Sequence, residues 1–582
     1  MSPLLCRPPA ISSARLPIAP PQRFSIAAAT PKERDRIYQI RHEVYADEIH
    51  QHAVNEDGRL HDALDQANVY LVAKWDHELC GFISLTPPAK TPYSVEKYLS
   101  REALGLPDTS KLHEIRLLTV RKPWRGSEVA TLLMYAAFRW VESHGGEHIV
   151  AIGRHELLDL YLRLGLERGG SVIQSGAVTY HLLARSVRAL REHLEGFENL
   201  MGRLEEKVDW KLSFGFRKPV ACFHGGGFFN AIGPRFDHLE RSHAIINADV
   251  LDAWFPPSPK VLAAVREYLP WVARTSPPTA CEGLVEVIAQ TRGVSYCNIL
   301  PGSGSSDLIF RALRHWLTPS SHVLVLDPTY GEYVHVLEQV IGCTVDRFLL
   351  SRSDQYEVDM ERLEAALAGE YDLVVLVNPN SPTGRYIPRD HLVALLKKAP
   401  VSTRIWVDET YIEYTGAAQS LEPFAARSEN VIVCKSMSKV YALSGLRAAY
   451  LCAGAHQLEA LRSITPPWVV SLPAQMAAVE ALLDPSYYQA RYNETGALRL
   501  QLKAGIEALG WDVVPGCANF LLCHLPVPGP SAAQLVEQCR PRGLYLRDAA
   551  AMSSQLGSDT IRIAVKDAET NARMLGILTG FF

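Results

Sequence analysis

Apolar and polar positions along this chain follow two patterns in succession, and the change between them divides it. From about Phe24 to Leu183 the order reads helix, hairpin, strand, helix, strand, helix, strand. "KERDRIYQIRHEVYADEI" repeats its apolar residues at helical spacing, and "NVYLVAKWDHELCGFISL" sets two apolar runs around a polar turn, as a hairpin requires. "EIRLLTV" follows as a strand and "GSEVATLLMYAAFRWVESHG" as a helix stopped by glycine. The pattern predicts a compact mixed α/β domain over 23–184. Next, "RSVRALREHLEGFENLMGRLEEK" keeps helical periodicity under heavy charge and "CFHGGGFFNAIG" breaks it, so 185–245 is expected to be a helical linker. From about Tyr296 to Cys452 short apolar runs ("VLVLD", "LVVLVN", "RIWVDE", "VIVCK", "AAYLCAG") alternate with helical segments, the signature of a parallel sheet covered on both faces. A smaller unit from about residue 465 completes a second α/β domain over 246–582. There are no internal repeats.

Composition narrows what such domains can do. With 582 residues, 47% hydrophobic and 21% charged, the chain can build several packed cores. Its formal charge of -4 lacks the basic excess that binding to phosphate backbones exploits, which argues against nucleic acid as a partner. Eleven cysteines are scattered without a CxxC pair, against both a zinc site and a disulfide framework. A reducing cytoplasm fits best. Prolines crowd residues 1–22, which are expected to form a disordered tail, and no apolar run approaches the ~20 residues of a membrane helix.

In an open parallel sheet, ligands sit beyond the carboxyl ends of the strands. Four such places carry unusual residues. "PGSGSSDLIF" puts Gly302, Ser303 and Gly304 ahead of a helix whose first amides and hydroxyls, at Ser305 and Ser306, can hold a phosphate. "NPNSPTG" offers Asn380 and Ser381 on a backbone restrained by proline, and "DETY" sets Asp408 at a strand end with Tyr411 three residues on. "CKSMSKVYALSGLRAAY" places Lys435, Lys439 and Arg447 among small, apolar and hydroxyl side chains.

Together these four motifs resemble the class I/II (fold type I) aminotransferases, closest to the histidinol-phosphate aminotransferase branch, over roughly Asp249 to Leu578. The resemblance implies pyridoxal phosphate attached to Lys439, its phosphate held by Gly304, Ser305, Ser306, Ser436, Ser438 and Arg447, and Lys435 as a bystander. It implies Asp408 on the pyridine nitrogen, Tyr411 on the ring oxygen, Tyr330 of "DPTYGEY" stacked on the ring, and Asn380 and Ser381 beside it. Arg562 of "TIRIAV" would take the substrate α-carboxylate, with Arg547 and Trp254 reaching its side chain. Ser381 stands where the family has asparagine, "LDAWFPPSP" replaces "NENPYGPSP", and "TSPPTACEGL" replaces a tyrosine-bearing segment, so the substrate pocket must differ. A homodimer acting on an amino acid or amine is implied. Transamination leads. The alternative is decarboxylation or β/γ-replacement, for example on S-adenosylmethionine, and a protein that only sequesters cofactor is a third reading.

The first domain resembles the GNAT acyltransferases over roughly Phe24 to Leu183. Arg125 and Gly126 of "RGSEVA" match the motif that cradles the pyrophosphate of acyl-CoA, with Glu128 in place of its central glycine. The resemblance implies Tyr161 as the acid that protonates a departing thiolate and Glu114 as a base. It also admits a domain that only shapes or covers the second site. Fusion to a cofactor enzyme suits biosynthesis of a specialised metabolite.

Overall fold

The computed structural model describes residues 23–88, 92–100, 104, 109–175, 178–218, 222, 224–233 and 235–582. The tail expected over 1–22 lies outside them. The chain divides into two compact units, residues 1–219 and 220–582.

The first unit is built on strands β1 (Phe24–Ala28), β2 (Val69–Trp75), β3 (Glu78–Thr86), β4 (Leu112–Val120), β5 (His148–Arg154), β6 (Glu167–Ser175), β7 (Val178–Ser186) and β8 (Val208–Lys211). They form one sheet in the order β6-β7-β5-β4-β3-β2-β1-β8. β2 and β3 make the expected hairpin, turned by Asp76 and His77, which both adopt positive φ as a tight two-residue hairpin turn demands. Helix Val129–Ser143 buries almost its whole length, from Val129 to Val141, in the core under this sheet. The expected linker over 185–245 is corrected in its first part. Helices Val187–Glu195 and Glu198–Glu206 bury Leu190, Met201 and Leu204 in that same core, and β8 adds to the sheet edge by pairing in parallel with β1. Charge on their outer faces disguised helices that are part of the domain.

The second unit holds β9 (Ile246–Asn247), β10 (Ile299–Gly302), β11 (His322–Asp327), β12 (Thr344–Leu349), β13 (Leu373–Val377), β14 (Arg404–Asp408), β15 (Val431–Ser436) and β16 (Ala449–Cys452). β17 (Asp512–Val513), β18 (Phe520–His524), β19 (Leu544–Tyr545), β20 (Arg547–Asp548) and β21 (Thr560–Ala564) follow. The main sheet runs β10-β16-β15-β14-β13-β11-β12. β11 to β15 are parallel as expected, whereas β16 is antiparallel to both β15 and β10. A buried strand reads the same in either direction, so apolar runs could not reveal the reversal. The small subdomain also begins later than residue 465. Helix Leu472–Leu482 packs its alanines, Ala474, Ala477, Ala478 and Ala481, into the large core, and the 24-residue helix Pro485–Ala508 then leads to the sheet β17-β18-β21-β20.

Candidate active site

The carboxyl ends of β11, β13, β14 and β15 meet at one place. Asn380 donates to the Pro328 carbonyl (2.9 Å) and to Thr383 Oγ1 (3.1 Å), and accepts from Thr329 Oγ1 (3.1 Å). Its amide is thereby used up in joining two loops, which corrects its expected place against a cofactor ring. Asp408 ends β14 fully buried. Its Oδ1 accepts from Thr410 N (2.9 Å) and Thr410 Oγ1 (2.6 Å), and its Oδ2 from Tyr333 OH (2.7 Å), itself fixed by Trp406 Nε1 (2.7 Å). Burial pushes the Asp408 carboxyl above its ordinary range, so a cation placed against it would be welcome. Tyr333 escaped the sequence reading, although an aromatic three residues after Tyr330 was there to be seen.

Lys439 follows β15. Its Nζ lies 2.9 Å from Asp252 Oδ1 and 3.5 Å from Ser444 Oγ. Burial lowers the amine from its usual value against the opposing pull of Asp252, which brings a nucleophilic free base within reach. Gly304, at φ +86°, precedes helix Ser305–Trp316; a Cβ there would stand 2.3 Å from Arg447 Nη2. Only glycine lets the guanidinium lie against the start of that helix, so Arg447 and first-turn amides that no side chain caps among the described residues form a cradle for an anion. Ser438 Oγ is 3.5 Å from Arg447 Nη1, and Ser436 Oγ accepts from Ser438 N (3.3 Å), holding the turn. Ser306 contributes less than expected. Its hydroxyl proton goes to Glu332 Oε2 (3.0 Å), which leaves its amide alone for the anion.

Glu332 is a second residue the sequence hid. Its Oε2 also accepts from Tyr330 OH (2.6 Å) and lies 2.7 Å from His224 Nε2. The other imidazole nitrogen, Nδ1, faces the Cys222 carbonyl at 3.2 Å. Both ring nitrogens thus face oxygen atoms, and the bond to Glu332 raises the imidazole pKa above its ordinary value. Gly226 N donates to Asp249 Oδ2 (3.1 Å), so this stretch is tied at both ends of the site.

Arg562, on β21, is 5% exposed. It donates to Ser381 Oγ (3.4 Å) and the Asp249 carbonyl (3.0 Å), both neutral, and its Nε has no partner among the described residues. Burial and the neighbouring Arg547 lower its pKa to about 10. Arg547 pairs with Asp249 at 2.9 Å. Tyr411 is buried edge-on to Phe520 with ring centroids 5.3 Å apart, and burial pushes its hydroxyl up. Trp254 is corrected: its indole donates to Thr495 Oγ1 (2.9 Å) and Arg491 covers its ring, so it packs on helix Pro485–Ala508. Lys435 is more than a bystander. Fully buried, it lies 2.7, 3.6 and 3.8 Å from Glu413, Glu409 and Glu422, beside Arg292, which pairs with Glu413 and Glu422.

In the first unit β4 and β5 pair only over 112–115 and 148–151, after which they separate, β4 following β3 and β5 following β7. Leu117, at φ +54°, sits at the bend of β4. Tyr161 is buried against Gly153, where a Cβ would come within 2.8 Å of its ring, and burial raises its hydroxyl pKa. Glu114 is corrected as a base. It is fully buried and accepts from Ser94 N (2.8 Å), Val95 N (2.9 Å) and Ser94 Oγ, which caps a short helix and occupies its oxygens. Gly126 has φ +85°, Arg125 pairs with Glu48, and Glu128 is drawn to Lys207 at 2.6 Å.

Comparison with known proteins follows this division. Residues 260–578 match the aminotransferase class I and II family, and residues 34–166 match the acetyltransferase (GNAT) family. Histidinol-phosphate aminotransferase 2 of Carboxydothermus hydrogenoformans is 29% identical over 352 residues, 60% of this chain and 94% of that protein. Histidinol-phosphate aminotransferase of Moorella thermoacetica is 31% identical over 294 residues, 50% of this chain and 74% of its own. The histidinol-phosphate aminotransferase of Sinorhizobium meliloti, solved with pyridoxal-5'-phosphate, superposes with a TM-score of 0.52 at 23% identity, covering 63% of this chain and all of that one (100%). Among the described residues no helix is long and apolar enough to cross a membrane.

Proposed function

Because the chain belongs to the aminotransferase class I and II family and carries a GNAT domain ahead of that region, we propose that it transfers the amino group of an amino acid or amine at the site around Lys439. The enzyme is a pyridoxal phosphate-dependent transferase, and the residues present suit that cofactor. The cradle of Gly304, Ser305 and Arg447 would hold its phosphate, Tyr330 would cover its ring and Asp408 would face its nitrogen. When bound, the cofactor supplies an electron sink for the bonds at the substrate Cα.

The observation that carries the reading is Arg562. It is a buried guanidinium with no carboxylate in ion-pair range among the described residues, and a buried cation without a counter-charge is costly. The α-carboxylate of an amino acid supplies that charge in bidentate fashion, with Ser381 beside it. Lys439 Nζ, with its lowered pKa, then takes the Cα proton as a free base. Asp408 holds positive charge opposite it, and Tyr411 donates a hydrogen bond at the rim. The burial of Asp408, Arg562 and Tyr411 keeps water from these groups and strengthens each interaction.

Active sites of this fold lie at a two-fold interface, so a homodimer is the working form, in the cytoplasm. The named relatives act on histidinol phosphate; the altered segments at 251–259 and 275–284 favour a different amine here. The GNAT unit acylates an amine from acyl-CoA, with Arg125 and Gly126 at the pyrophosphate and Tyr161 as the acid, a pairing that suits specialised-metabolite biosynthesis because tethering concentrates one product at the other site. The test is a panel of amino acids and keto acids followed by mass spectrometry, with the Lys439→Ala variant and light scattering alongside. Amino-group exchange that survives in Lys439→Ala, or full activity in a monomer, would overturn the reading.

A further inference from the structure

β21 delivers Arg562 to the site, and its alternation continues past the strand. Val565 N still bonds the Asn519 carbonyl at 2.8 Å, so Arg562, Ala564 and Lys566, spaced by two, fall on one face. The backbone of Lys566 is clamped: its N–H donates to Asn571 Oδ1 (3.0 Å) and its carbonyl accepts from Asn571 Nδ2 (2.7 Å), Asn571 itself being buried. Among the described residues the Lys566 ammonium has no ion pair within 4.0 Å. The charges that act on it are those of Asp252 and Lys439, the pair already at the centre of the site, and of Asp567 at its own back. Asp252, whose carboxylate holds Lys439 at 2.9 Å, is thus the site carboxylate within electrostatic reach of Lys566.

Resting on the reading of Lys439 and Arg562 above, we propose that Lys566 is a second acid–base residue of this site, exchanging a proton with the substrate Cβ while Asp252 balances its charge. The alternative use of a third cation beside Arg562 and Arg547, as a receptor for a second substrate anion, is opposed by Asp252, which would repel that anion. In the step, the Cβ–H bond breaks and its proton forms an N–H bond on Lys566; pyridoxal phosphate, when bound, would supply the sink for the electron pair left on Cβ. The Lys566 ammonium exchanges with water and returns a proton to that pair on Cβ. Where Cγ bears a leaving group, the pair instead forms a Cβ–Cγ double bond as the group departs with its own bonding pair, and the ammonium gives its proton to water. A lysine suits the task because burial, with Lys439 adding to it against Asp252, lowers its pKa to about 8, so that both forms are populated near neutrality. Such a residue would extend the chemistry from transamination toward β/γ-replacement.

Two measurements test this. In deuterated water the holoenzyme is given a panel of proteinogenic L-amino acids, and loss of Cα and Cβ hydrogens is followed by NMR. For the amino acid with a Cβ hydrogen whose Cα exchanges fastest, Cβ exchange is expected, and Lys566→Met should slow it by about a hundredfold while sparing Cα exchange. Cα exchange without Cβ exchange in the wild type, or Cβ exchange untouched in Lys566→Met, overturns the role of Lys566 alone; absence of Cα exchange overturns the reading of Lys439 and this inference with it. Separately, cofactor-free protein is labelled with acetic anhydride across pH and mapped by mass spectrometry. Lys566 should titrate near 8, and lower still in Asp252→Asn, whereas a midpoint at the ordinary 10.5 would refute the proposal.

Discussion

The substitution Glu409→Gln should stabilise this protein, increasingly so as pH rises from about 4.5 to about 7. Glu409, Glu413 and Glu422 are buried together with two cations, Lys435 and Arg292. Three carboxylates against two cations leave one negative charge too many for a low-dielectric interior. Glu409 is the member that gives way, since burial outweighs Lys435 and pushes its carboxyl up to about 7 from an ordinary 4.5. At about 1.4 kcal/mol per pH unit, that difference is worth about 3 kcal/mol. For an acid whose pKa is raised by folding, the fold favours the neutral form. The cost is therefore absent below about 4.5, grows as pH rises, and is complete above about 7. Glutamine has the shape of the neutral form: its oxygen can keep the bond from Leu421 N (2.7 Å), and its amide can donate to Ser420 Oγ, which now donates to Glu409, while the Ser420 proton turns to Glu422 (3.0 Å). Denaturant unfolding of wild type and Glu409→Gln should give matching midpoints near pH 4.5 and a variant more stable by up to about 3 kcal/mol at pH 8, with equal slopes. A difference that stays flat with pH, or a variant less stable at pH 8, would refute the charge count.

Other expectations follow from single contacts. Gly304→Ala meets Arg447 at 2.3 Å in a backbone conformation that side chains avoid, and should cost about 1–3 kcal/mol; equilibrium dialysis should show pyridoxal phosphate affinity falling at least about tenfold, while Gly331→Ala, with open space around it, binds normally. Glu114→Gln should lower the unfolding midpoint of the first unit by turning one of two buried acceptor oxygens into a donor that faces another donor, about 1–3 kcal/mol, as thermal unfolding would read. Glu128→Gly should tighten acyl-CoA binding in calorimetry by removing a carboxylate from the turn before helix Val129–Ser143, and Arg125→Ala should weaken it; no acyl-CoA binding by either protein would favour a structural role for the domain.

Local chemistry made much of this protein readable from its sequence. The parallel strands β11, β13, β14 and β15 announce themselves as apolar runs because both of their faces are buried, and the residues just beyond them must be polar if they are to meet a ligand. Tyr330 is reached through the family resemblance, whereas that logic singles out Asp408, Gly304 and the stretch after β15 that carries Lys439 and Arg447. It does not reach Glu332, His224, Asp252 or Lys566, whose partners lie as far as 108 and 187 residues away, for Glu332 with His224 and for Asp252 with Lys439. Nothing local distinguishes a histidine in a glycine-rich stretch from an exposed one. Tertiary structure also decided between identical readings of one residue type: Glu114 caps a helix, Asn380 ties two loops, Lys435 neutralises buried carboxylates and Trp254 packs on a helix, although each type could equally have faced a ligand. A side chain's hydrogen-bonding capacity is finite, and which groups consume it is settled by folding at long range, after the sequence has said only what capacity is there.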